Sequence, residues 1–178
     1  MTTASSLAAT LSDHPFLSSI PVTSLRRLAT HAQSHTYSAG EEIFREGGKA
    51  DRFFLIRHGL VRLDAEVAGS DGPLQVEIET LGAGAALGWS WLFSPFGWQV
   101  SATAVTRTAT VIFDADMLLA VMSADPVLGY ELMRRFAAVM FDQLQATRQR
   151  LTGSGGEVPS AGVAGPWAGK RTTAPRWS

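Results

Sequence analysis

The stretch Thr80–Arg107, TLGAGAALGWSWLFSPFGWQVSATAVTR, decides how this chain folds, because Thr80 to Thr106 carries no charge. An uncharged run of that length raises the question of a membrane span, which needs roughly 20 mostly apolar residues. Gly82, Gly84, Gly88, Pro95 and Gly97 interrupt it, and Gln99, Ser101 and Thr103 alternate with Val100, Ala102 and Ala104. A period of two marks a strand, not a helix. The stretch therefore divides into a glycine turn, a short tryptophan-rich helical turn at Leu87 to Phe93, and a buried strand from Gln99. A glycine turn opening a helix presents backbone N–H groups to an anion or small ligand. No membrane contact is expected.

Short strands continue on both sides of that stretch. Ile43-Phe44-Arg45-Glu46 runs into the Gly47-Gly48 turn. Phe53 and Leu55 share one face of the next strand, and Phe54 and Ile56 the other. Val61 and Leu63 point inward after His58-Gly59, and Gly69 to Pro73 is a hairpin loop. Leu74, Val76 and Ile78 alternate with Gln75, Glu77 and Glu79, the pattern of a half-buried strand. Val111-Ile112-Phe113 closes the series. About eight short strands with regular glycine turns predict a mainly β protein with flanking helices, a jelly-roll barrel rather than a parallel sheet.

Helices bracket the strands. Residues 1–12 are expected to be flexible, and Asp13 to Leu17 begins a helical turn. Thr23 and Ser24 are placed to cap a helix carrying Leu25, Leu28 and Ala29 on one face, with Arg26 and Arg27 solvated beside it. Asp114 caps a short helix through Met122, and Asp125-Pro126 opens a long one. Over 126–151, Leu128, Leu132, Phe136, Val139, Met140, Gln143, Thr147 and Leu151 fall near one stripe. About 25 residues at 1.5 Å each give roughly 35–40 Å, a length suited to pairing with its twin in a homodimer. Residues 152–178, rich in Gly and Pro, are expected to be a disordered tail. Within it Trp167, Trp177, Lys170, Arg171 and Arg176 are candidates for docking a protein partner.

Composition bounds the chemistry. The 178 residues suffice for one cored domain, here 13–151, and the net charge of −1 gives no basic excess for nucleic acid. The absence of cysteine excludes thiol catalysis, disulfides and cysteine zinc sites. His14, His31, His35 and His58 form no His-x-His pair; His31 and His35 share a helical spacing of four and read as solvated. No nucleophile–base constellation stands out, so neither an enzyme nor a metal or cofactor protein is expected. The N-terminus lacks a basic segment followed by an apolar one, so a cytoplasmic protein is expected.

Ile43-Phe44-Arg45-Glu46-Gly47, followed by Asp51-Arg52-Phe53-Phe54-Leu55-Ile56-Arg57-His58-Gly59-Leu60-Val61, resembles the signature of the cyclic-nucleotide-binding domain of the Crp/Fnr regulators. Leu81-Gly82-Ala83-Gly84 and Leu87-Gly88 continue the likeness, which covers about residues 13–151. The resemblance implies a non-catalytic regulatory or ligand-sensing module with its pocket at Leu87, Gly88, Trp89, Ser90, Trp98, Gln99, Val100 and Ser101. It also brings Gln143 of the long helix to the ligand base. Members that bind cyclic nucleotides carry Gly-Glu after the turn, the Glu reading the ribose, and an Arg about ten residues on for the phosphate. Here Trp89 follows Gly88, and the Arg position falls near Trp98, with Gln99 beside it. No Lys, Arg or His occurs from Thr80 to Thr106. Tight cAMP binding is therefore not expected. The tryptophans either reshape the pocket for an apolar, aromatic or base-stacking ligand or fill it, leaving an interaction scaffold. The family's helix-turn-helix is not expected in the Gly/Pro tail, so sequence-specific DNA binding by this chain alone is not expected; a relic of such a regulator would act through a partner.

Overall fold

A computed structural model describes residues 4–69 and 72–153. The elements run α1 (Ala4–Ser12), a single 3-10 turn (Pro15–Leu17), α2 (Val22–Ala29), β1 (Ala32–Tyr37), β2 (Glu42–Phe44), β3 (Arg52–His58), β4 (Val61–Gly69) and β5 (Gly72–Leu81). They continue with β6 (Ala86–Leu87), a second 3-10 turn (Ser90–Leu92), β7 (Ser101–Ala104), β8 (Thr108–Asp114), α3 (Ala115–Ala124) and α4 (Pro126–Gly153). Contacts divide the chain into two units, Met1–Met140 and Phe141–Ser178. No described helix is long and apolar enough to cross a membrane.

The first unit is a jelly-roll-type sandwich. One antiparallel sheet has the order β1-β8-β3-β6, the other β2-β7-β4-β5. The sheets do not close into a barrel: β1 pairs only with β8, and β2 only with β7. Side chains alternate across a strand, and β3 is buried on both faces. Phe54 faces the second sheet, its ring 5.6 Å from Phe44. Phe53 faces the helices, 5.2 Å from Phe16 and 4.9 Å from Phe136. That double burial is why the continuous apolar run Phe53-Phe54-Leu55-Ile56 replaces simple alternation. Gly59, at φ +92°, turns β3 into β4 where a Cβ would lie 2.6 Å from the Arg107 carbonyl, so only glycine fits.

The helical layer departs from the sequence expectation in three places. Residues 4–12 form a helix whose Leu7, Ala8 and Leu11 are buried, an i, i+4 face on the core. α2 starts two or three residues earlier than a Thr23 or Ser24 cap would place it; Pro21 is its N-cap, with no side-chain cap bond. On α4, Leu128, Leu132 and Phe136 pack into the core of the first unit, with Val139 and Met140 half-buried against it. Gln143 and Thr147 lie in the second unit, half-buried and exposed respectively. Leu151 lies there too, though its side chain is outside the described set. The expected dimer stripe is thus engaged at Leu128, Leu132 and Phe136 by the protein's own sandwich, because the period of 3.6 that marks a buried face does not say what covers it.

The Asp114 cap holds: its side chain accepts a bond from the Met117 N–H at 3.0 Å. Asp125 likewise accepts from the Leu128 N–H at 3.1 Å, at the start of α4. Arg27 pairs with Asp125 at 3.0 Å instead of being merely solvated, tying α2 to the start of α4. The Arg135 guanidinium also donates to the carbonyls of Phe16 and Ser18, anchoring the first 3-10 turn to α4. The β5 alternation proves to be exposed: Leu74 is 59% and Val76 42% accessible. β7 pairs with β4 only from Val61 to Asp64, so among the described residues the outer part of the β4–β5 hairpin is a two-stranded ribbon. The 152–178 tail lies outside the described residues apart from its first two, which continue α4.

Candidate functional site

The cassette begins where β6 ends. Gly88 has φ +84°, and a Cβ there would sit 3.1 Å from the Arg52 carbonyl oxygen, 3.1 Å from Phe54 and 3.2 Å from the Trp98 ring. Both the left-handed backbone and the space demand glycine. Trp89 follows as the N-cap of the Ser90–Leu92 turn, half-buried and making no side-chain cap bond. Trp91 is buried on the helical side, edge-on to Phe136 at 5.6 Å, its indole N–H without a hydrogen-bond partner among the described residues.

The chain then turns through the cis Ser94–Pro95 bond and locks onto the earlier glycine turn. Trp98 N–H donates to Gly48 O at 2.8 Å, Gly47 N–H to Trp98 O at 2.9 Å, and Ala50 N–H to Phe96 O at 2.8 Å. This clamp carries the Trp98 side chain into the sandwich. Its ring is 6% accessible in residue terms and stacks on Phe44 at 4.0 Å and 16°. It also meets Phe54 at 6.3 Å. A parallel pair at that distance buries large apolar area and adds roughly 0.5–1.5 kcal/mol beyond burial alone.

The candidate residues therefore separate. Leu87, Gly88 and Trp98 converge on Phe44 and Phe54, two aromatic walls that sequence reasoning placed on strands but not at the site. Val100 is half-buried against the core. Gln99 is exposed, its amide donating to Gly97 O at 3.0 Å. Ser101 lies on the opposite face of β7 from buried Ala102, where its hydroxyl accepts from the Glu46 N–H at 3.0 Å. Glu46 in turn accepts from the Glu66 N–H at 2.8 Å, supporting the turn as its position in the motif suggests. Ser90 is half-buried at the start of its turn. Gln143 belongs to the second unit. Among the described residues no group of three or more His, Asp or Glu is placed to hold a metal ion. His31 and His35 share no helix, since α2 ends at Ala29 and His35 lies in β1.

Three solved structures share this architecture. A cyclic nucleotide-binding domain from Methylobacillus flagellatus KT is 19% identical, with 88% of this chain and 86% of that one covered and a TM-score of 0.71. The N-terminal domain of a transcriptional regulator from Streptomyces coelicolor A3(2) is 21% identical, covering 76% and 95%, at a TM-score of 0.60. The catabolite activator protein of Thermus thermophilus is 22% identical, covering 78% of this chain and 62% of that one, at 0.63. These likenesses establish the fold. The family model described as the cyclic nucleotide-binding domain matches residues 34–125, just over half of the chain. The glycine-delimited sandwich, the cassette after Gly88 and that match agree: the chain belongs to the cyclic nucleotide-binding domain family, whose fold Crp-like regulators share.

Proposed function

We propose that this chain is a non-catalytic regulatory or ligand-sensing module whose nucleotide cassette no longer takes cAMP tightly. The observation that carries this reading is Trp98: an indole stacked on Phe44 stands where the family places the phosphate-binding region. A cyclic phosphate seated there would need a cationic partner, and the uncharged run Thr80–Thr106 supplies none. Losing a charge-assisted bond costs roughly 1.5–3 kcal/mol, or tens-fold in affinity. Displacing the ring from Phe44 and Phe54 would cost more. Calorimetric titration with cAMP and cGMP tests this. The expected result is no binding tighter than roughly micromolar, about −8 kcal/mol; submicromolar cAMP binding would overturn it.

The module acts as a homodimer through α4 in this reading. The supporting face is not the stripe buried in the core but the apolar residues left exposed: Val127, Tyr130 and Met133 in the first unit, Phe141 and Leu144 in the second. Apolar residues at such spacing on a helix otherwise meet water. Sedimentation of the wild type should give a dimer, and Tyr130→Glu with Leu144→Glu a monomer; a wild-type monomer contradicts the assignment.

A further inference from the structure

The β4–β5 ribbon leaves one edge of the second sheet open. β5 is the last strand in the order β2-β7-β4-β5 and pairs with β4 alone. Among the described residues no other backbone hydrogen bond reaches its ten residues. Backbone groups along a strand point alternately to its two edges, so about half of those on β5 face away from β4 toward water. A row of free N–H and C=O groups is a template for a further strand.

The two faces of the ribbon differ. Cross-strand partners share a face, so Val67 lies beside Leu74 and Ala65 beside Val76. Val67, Leu74 and Val76 are all exposed, which makes this face an apolar strip in water. The other face is acidic. Asp64 stands beside Glu77, and Glu66 beside Gln75. The basin on that side is also lined by Glu42, Glu46, Arg45 and Arg62. Both guanidiniums are engaged: Arg45 pairs with Glu42 at 2.8 Å and Arg62 with Asp64 at 2.9 Å. Glu46, Glu66 and Glu77 form no salt bridge among the described residues. Glu46 accepts from the Glu66 N–H and Glu77 from the Thr80 hydroxyl, and neither donor carries a charge. The acid face therefore has more carboxylates than cations.

We propose that the free edge of β5 takes up an extended segment of a partner protein in which apolar residues alternate with basic ones. The backbone of the segment continues the sheet, and its side chains fall alternately on the two faces. Its apolar residues extend the Val67, Leu74 and Val76 strip. Its Lys or Arg residues lie over the acid face, near Glu66 and Glu77, where opposite charge fixes which face goes where. A second copy of β5 fits this edge worse, because it would bring its own Glu77 to a sheet face that already holds one.

The test is backbone amide hydrogen exchange of the full chain, with the peptide acetyl-(Lys-Val)4-amide as probe. Two control peptides separate the causes: one with Glu in place of Lys, and one of the same composition with the four Lys before the four Val. The alternating peptide should slow exchange about tenfold at every second amide of β5, saturating between roughly ten micromolar and one millimolar. Both controls should leave β5 unprotected. Glu77→Lys should weaken binding about fivefold and Leu74→Ser about threefold, as expected for single exposed contacts. Glu131→Gln, on α4, should leave it unchanged. No protection of β5 at millimolar peptide, equal protection by either control, or unaltered affinity in both Glu77→Lys and Leu74→Ser would each overturn the assignment. Protection of β5 in the free protein that rises with protein concentration would give the edge to a second copy and overturn it as well.

Discussion

Two hollows of one sandwich are lined differently. The cassette beyond Gly88 holds the Trp98 ring, which meets Phe44 and Phe54 on the inner faces of both sheets; in the proposed reading that ring closes it. The seam between β1 and β2 is a cavity lined by Arg52, His35 and Tyr37. The side chains at the two places differ. A large apolar ring lowers the free energy of the fold by occupying space, whereas polar side chains at a cavity wall keep it accessible to water.

That contrast can be broken experimentally. Trp98→Ala should destabilise the protein by about 3–5 kcal/mol in denaturant unfolding, the range for emptying a buried aromatic site. A loss below about 1 kcal/mol would mean that the ring is not packed and the cassette is open. Gly88→Ala tests the same wall from the backbone. At φ +84°, with the Arg52 carbonyl 3.1 Å from the new methyl, it should cost about 1–3 kcal/mol, read as a shift in the unfolding midpoint.

A smaller effect comes from His14. Its Nε2 bonds the Ile56 carbonyl at 3.1 Å, while Nδ1 accepts from the Phe16 N–H at 3.2 Å. Both nitrogens are used by a neutral ring, and burial lowers its pKa below the ordinary 6.5, the Ile56 bond opposing. The unfolded chain therefore takes up a proton first. His14 contributes its full stability above about pH 6.5 and loses it as the pH falls from there toward the folded pKa. Unfolding free energies between roughly pH 7 and 5 should fall with pH, and His14→Gln should flatten that slope. An unchanged slope in the variant would place the dependence elsewhere. Smallest of all is Tyr37→Phe: its hydroxyl is not among the buried side-chain atoms left without a partner, and its loss should change stability by no more than about 0.5 kcal/mol. A larger loss would reveal a partner for the phenol and weaken the contrast between the hollows.

Much of this was legible in the sequence, for identifiable reasons. The alternation at Val61 and Leu63 and the glycines at 59 and 88 fix strands and turns locally, and those placements agree with the fold. The uncharged cassette was likewise visible residue by residue. The direction each tryptophan takes was not, because it depends on the clamp between Trp98 and Gly48, two turns 50 positions apart in the chain. The helix at 4–12 escaped because a run of Ala, Ser and Thr offers no cap or charge pattern, only Leu7 and Leu11 at helical spacing. The β5 misreading has a different cause: alternation reports two faces, not whether a second sheet covers one of them.

The most direct test of the closed cassette is an indole N–H spectrum of the whole chain titrated with cAMP. If Trp98 occupies the space a nucleotide would need, the Trp89, Trp91 and Trp98 cross-peaks stay in place up to millimolar cAMP. A saturable shift of the Trp98 peak at micromolar nucleotide would show that the ring yields, and that the fold still seats the ligand its family is built around.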